Sequence, residues 1–176
     1  MDRLTIEKIR LLHPTVREEV LKGYTYVNNM LLGKGIRLRF SNTFRSFEEQ
    51  KQLYANGRSK PGKIITNARE GLSMHNYGLA FDIVLLIDKD NDGSFETASW
   101  DTKADFDKDR IADWMEIVNH FKKLGWAWGG DWKSFPDYPH LEKMFDLTPK
   151  QLLSRYNSGM TFSEIINGKT YTWINL

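Results

Sequence analysis

The chain has 176 residues, 40% of them hydrophobic and 27% charged, which is enough to bury a core without staples and excludes disorder as its main state. It has no cysteine, so disulfides, thiolate zinc sites and a cysteine nucleophile are excluded. Its 25 Lys and Arg against 23 Asp and Glu leave a net charge of +2, too even for the strongly basic face of a nucleic-acid binder. The start, Met1-Asp2-Arg3-Leu4-Thr5-Ile6, lacks the apolar run and small-residue cleavage site of a secretory signal. No stretch is long and apolar enough to span a bilayer. The expectation is a soluble protein made in the cytoplasm.

Leu4, Ile6, Ile9, Leu11 and Leu12 predict a short amphipathic helix that ends before Pro14. Val16, Val20, Tyr24, Val27 and Leu31 continue at helical spacing, with Gly33 and Gly35 closing that helix. The period then changes to two: Ile36, Leu38 and Phe40 alternate with Arg37, Arg39 and Ser41, a half-buried strand. Ser46 with Glu49 fits a capping box, so a third helix runs to about Asn56. Residues 57–72 read as a loop made basic by Arg58, Lys60, Lys63 and Arg69.

Ala80 to Ile87 is apolar except for Asp82 and predicts a central strand. Ile111, Trp114, Met115, Val118 and Phe121 predict a helix over 107–124, stopped by Gly125. Tyr138 to Met144 fits a short strand. Thr148-Pro149-Lys150-Gln151 starts a last helix, and Asn167-Gly168 turns into an edge strand over Lys169 to Ile174. The expected fold is α+β, with a small, mostly antiparallel sheet packed on helices in one domain over 1–176. Within it lie N-terminal helices over 4–32, a middle segment over about 36–145 and a C-terminal helix and edge strand over 146–176.

Of four histidines, His13 beside Pro14 and His120 late in a helix read as capping or dipole-favoured residues. His75 and His140 stand in odder company. His75 precedes Asp82, a lone carboxylate in an apolar strand, which is costly unless paired or metal-bound. Small Gly78 and Ala80 would leave room above that face. His75, Asp82 and His140 would give three ligands and an open fourth position, the pattern of catalytic zinc. The spacing equally allows an Asp82–Arg pair with two structural histidines.

Several motifs in order break that tie. Ser73-x-His75-x(6)-Asp82 and Asp137-x-x-His140 resemble the VanY-like (LAS-type) zinc peptidases of bacterial cell walls. So do Phe44-Arg45-Ser46-Phe47-Glu48-Glu49-Gln50, Leu53-Tyr54-Ala55-Asn56-Gly57-Arg58 and Trp126-Ala127-Trp128-Gly129-Gly130-Asp131-Trp132. The resemblance spans about 36–145 and implies a hedgehog/DD-peptidase-like fold. It implies one zinc on His75, Asp82 and His140, Asp137 as general base and Arg45 as stabiliser of the tetrahedral oxyanion. It also implies Gln50 and Ser73 as substrate-lining residues.

It implies hydrolysis of a peptidoglycan stem peptide, with the endopeptidase branch nearest because Asp, not Glu, stands at position 137. That branch holds L-alanyl-D-glutamate endopeptidases and phage endolysins, and a monomer released onto the wall during lysis would suit such a chain. A D-alanyl-D-alanine carboxypeptidase is the alternative, and a wall-binding module without turnover is the alternative of another class. Strand periodicity puts Glu142, rather than Asp137, on the face of His140, so Glu142 is the rival base. Asp88, Asp90 and Asp92 begin a calcium-like loop, but Ser99 stands where its last acid belongs, and a plain acidic turn competes. Among the tryptophans, those flanking Gly129-Gly130 are candidates for the cleft wall.

Overall fold

The computed structural model describes residues 2–176. Two helices open the chain, α1 (Arg3–Ile9) and α2 (Pro14–Tyr26), and α2 loosens into a π turn over Val27–Leu31. Their apolar stripe, Ile9, Val16, Val20, Tyr24 and Val27, is buried as the spacing requires. His13 caps α2 by accepting from the Thr15 N–H at 3.3 Å. Its other ring nitrogen meets the Ile174 carbonyl at 3.0 Å.

Strands β1 (Ile36–Asn42) and β2 (Ala80–Ile87) pair antiparallel from Ile36 opposite Ile87 to Asn42 opposite Asp82, with one irregularity at Phe40–Asn42. Strand β2 is central. It also pairs β3 (Thr97–Ser99) and β5 (His140–Glu142), and β5 pairs β4 (Ala127–Trp128). The capping box at Ser46 starts α3 (Phe47–Ala55), and α4 (Asp113–Lys123) buries Trp114, Ile117, Val118 and Phe121. Phe40 stacks on Phe81 at 4.4 Å, and Phe81 meets Phe121 edge-on at 4.9 Å, so sheet and α4 share one core. Truncating a ring here would cost about 3–5 kcal/mol.

Helix α5 (Pro149–Asn157) has the expected Thr148 cap and Gln151 capping box. The chain then forms a hairpin of β6 (Thr161–Ile166) and β7 (Lys169–Ile174). Trp173 of β7 is fully buried and packs edge-on against His13 and Phe44.

The α+β class with an antiparallel sheet holds. One helix differs: α4 starts at Asp113, not 107, because Lys108 and Arg110 take positive φ and the aspartates at 105, 107 and 109 accept from nearby backbone N–H groups. Strands β3, β4 and β6 are additional, and the first two are too short to show a period. Among the described residues no helix is long and apolar enough to cross a membrane.

Candidate active site

The sheet register sets up the site. Asp82 of β2 stands directly opposite His140 of β5, and antiparallel partners present their side chains to the same face. His75 arrives from a separate piece of chain, the 3-10 turn Met74–Tyr77, which Gly78 ends at φ 67°. Gly78 does not leave space above the site, as the sequence led us to expect. A Cβ there would lie 2.6 Å from the His13 backbone nitrogen, so the glycine lets this turn press against α2. Ala80 faces Glu142 across the strands.

The proton positions follow from fixed partners. His75 Nδ1 lies 2.6 Å from the Thr43 carbonyl oxygen, which can only accept, so Nδ1 carries the hydrogen. His140 Nε2 lies 3.0 Å from Glu142 Oε2 and donates to it. In the neutral imidazoles, His75 Nε2 and His140 Nδ1 are then lone pairs. They lie 3.2 Å from each other, and each lies 3.2 Å from Asp82 Oδ1. Three acceptors at the corners of an equilateral triangle repel unless a cation sits among them. The edge fits a tetrahedral metal, since ligands about 2.0 Å from zinc stand about 3.3 Å apart.

Charge tells the same story. Burial opposes ionisation of Asp82, yet the two imidazoles hold its carboxyl well below the usual range. Burial pulls His140 down, but its contacts with Asp82 and Glu142 outweigh that and carry it up to about 9. Without a metal the triangle would keep a proton in its place.

Arg45 and Asp137 flank the triangle. Arg45 Nη2 is 3.9 Å from Asp82 Oδ2, and Nη1 donates to Gln50 Oε1 at 2.8 Å. Asp137 reaches the site through a tight turn in which the His140 N–H donates to the Asp137 carbonyl at 3.2 Å. Burial and the Asp82 charge raise its carboxyl above the ordinary value, against the pull of His140, His75 and Arg45. Gly129 lies under this turn, and a Cβ on it would meet the Asp137 carbonyl oxygen at 2.4 Å.

Arg45, His75, Asp82, Asp137, His140 and Glu142 line one open cleft of about 810 Å³, with Ser73 and Trp132 on its wall. Trp132 packs against the His140 ring at 5.2 Å, while Trp126 and Trp128 are buried beneath. Gln50 is fully buried behind the wall rather than on it. It bridges Arg45 to the Ala68 carbonyl, where its Nε2 donates at 2.7 Å. In the 88–93 turn, Asp88, Asp90 and Glu96 come together, but Asp92 stands outside that group. The Asp88 oxygens are met by the N–H groups of Asp92 and Gly93 at 3.1 and 3.0 Å.

An α+β fold with a His-Asp-His triangle lining an open cleft fits a metallopeptidase. The chain belongs to the M15 peptidase family, whose members are zinc-dependent. A family model described as D-alanyl-D-alanine carboxypeptidase matches residues 66–143. The peptidoglycan L-alanyl-D-glutamate endopeptidase CwlK of Bacillus subtilis (strain 168) is 46% identical over 133 residues, 74% of this chain and 72% of that protein. The crystal structure of the L-Ala D-Glu endopeptidase ChiX of Serratia marcescens shares the fold. Its TM-score is 0.53 at 19% identity, covering 82% of this chain and 90% of that one.

Proposed function

We propose that this chain is a zinc-dependent peptidoglycan peptidase that hydrolyses the L-alanyl-D-glutamate bond of the stem peptide. The observation that carries the metal reading is the 3.2 Å triangle of lone pairs. The bond assignment rests on the 46% identity to an enzyme of that name. His75, Asp82 and His140 would hold the zinc, which supplies Lewis acidity to polarise the scissile carbonyl and to acidify water.

The remaining work falls to this chain's own side chains. Asp137 takes the proton of the attacking water at its carboxylate and returns it to the leaving amine. Its raised affinity for a proton suits both steps. Glu142 is committed to His140 Nε2 and fixes that ring's tautomer, the usual office of a carboxylate behind a ligating histidine. Burial lowers the proton affinity of Arg45 and the charges of Asp82, Glu49 and Asp137 offset this only in part, yet a guanidinium stays charged, and it faces the negative charge that develops on the carbonyl oxygen. Gln50 positions Arg45, and Ser73 and Trp132 contact the substrate. The whole of 1–176 acts as one catalytic domain on the cell wall.

Digestion of purified peptidoglycan followed by mass spectrometry tests this. The expected products are stem fragments with a new free amine on D-glutamate, abolished by a zinc chelator and restored by zinc. Release of terminal D-alanine instead would make the chain a carboxypeptidase, and the absence of any cleavage would make it a binding module.

A further inference from the structure

Away from the cleft, the loop entering α4 gathers five acids over 105–116 against Lys108 and Arg110. Asp105, Asp107 and Asp109 alternate along the loop, and Asp113 and Glu116 follow in the first turn of α4. The first three bring carboxylate oxygens within 4.8 Å of one another, and so do Asp107, Asp113 and Glu116, so Asp107 joins the two groups. Backbone amides satisfy part of this set. Asp105 accepts from Asp109 and Arg110, Asp107 from Gly33 at 2.9 Å, and Asp113 Oδ2 from Phe106 at 2.8 Å.

Two atoms are left over. Asp113 is 0% exposed, and its Oδ1 has no partner. Glu116 Oε2 is likewise buried and unpartnered. Among the described residues no Lys, Arg or His forms an ion pair with any of the five acids. Burial first, and then the neighbouring carboxylates, push Asp113 up to about 6 and Glu116 up to about 7. A buried carboxylate oxygen without a donor is costly and persists where something else takes its lone pairs.

We propose that residues 105–116 bind one calcium ion. The donor set is oxygen alone, which selects a hard cation and leaves zinc to the imidazoles of the cleft. Counted from Asp105, the acids fall at positions 1, 3, 5, 9 and 12, the spacing of a twelve-residue calcium loop with Glu116 at its end. The sixth position, where such loops need a left-handed turn, is Arg110, and its φ is 80°. The ion would fasten the start of α4 to the turn before β1 through Asp107, which packs so closely on Gly33 that a Cβ there would lie 2.3 Å from the Asp107 Cβ. The 88–96 loop carries no such claim, because none of its side-chain oxygens is buried without a partner.

Calcium titration of the zinc-loaded protein, by calorimetry and thermal melting, decides the matter. The expected result is a single saturable site and a melting temperature about 5–10 °C higher when free calcium is ~100 times Kd. Glu116→Gln removes one unpaired charge. Without calcium it should melt at or above the parent, and its calcium affinity should fall at least tenfold. Asp109→Asn, at an exposed position, should weaken calcium similarly and serves if Glu116→Gln does not fold. Asp90→Asn, in the other acidic loop, should change nothing. The absence of heat and of a melting shift at millimolar calcium would overturn the proposal. So would a response that survives Glu116→Gln and Asp109→Asn and disappears in Asp90→Asn.

Discussion

Asp137 and Glu142 lie five positions apart and meet different atoms, although on paper either could be the base. Glu142 shares a strand face with His140 and spends an oxygen on its Nε2 at 3.0 Å. Asp137 reaches the cleft because the chain turns before Pro139 rather than running extended. The two should therefore fail differently. Asp137→Asn should keep its zinc and lose about 10²–10⁴-fold in turnover. Glu142→Ala should bind zinc about 10–100-fold more weakly and recover much of its turnover when zinc is in excess. Metal analysis beside kcat at two zinc concentrations checks both, and the opposite pattern would exchange the roles. At this scale much of the site was legible. A lone acid inside the apolar run 80–87 marks Asp82, and the Asp137-x-x-His140 spacing marks the second histidine. The burial of Gln50 was legible too, though easily overlooked, since it shares the inward face of α3 with Phe47 at helical spacing.

The elements that misled are those whose local chemistry overrides periodicity. Ile111 extends the apolar spacing of α4 backwards, yet it is 50% exposed because the aspartates before it hold their own backbone in turns. Gly93 draws the eye to 88–93 as a calcium loop, whereas the buried carboxylate oxygens without donors lie further on, in the first turn of α4. Strand β4 has two residues and no readable pattern, but it leads directly to the Gly129 that supports the Asp137 turn. Gly129→Ala should push that turn away from the triangle, since the added carbon would stand 2.4 Å from a carbonyl oxygen. A displacement of about 1 Å costs on the order of 100-fold in rate. Steady-state kinetics on a variant whose circular dichroism matches the parent would show it, and unchanged kcat/KM would mean that the turn tolerates the shift.

Across the whole molecule, the ends of the chain are tied to the middle, and one of these ties can be read by pH. Asp2 caps α1 by accepting from the Thr5 N–H and hydroxyl. It also forms a two-pronged pair with Arg39 of β1 at 2.9 and 2.8 Å. Burial alone would raise its carboxyl, but the bonds from Arg39 and Thr5 overcome it and hold the folded pKa below the ordinary value. A carboxyl depressed on folding contributes stability that is present above its unfolded pKa of about 3.9 and is lost as pH falls through the lower folded value. Asp2→Asn keeps a capping oxygen for Thr5, removes the charge and replaces the oxygen that accepts from Arg39 Nη2 with an NH2 group. Its melting temperature should lie about 3–8 °C below the parent at pH 7, and the gap should close as the solution is acidified below pH ~4. Both proteins should melt in a single transition, because α1 packs on the same sheet that carries the site. A gap that stays constant down to pH ~2 would assign the loss to packing rather than to the Arg39 pair, and no gap at pH 7 would show that solvent holds Asp2 as well as Arg39 does.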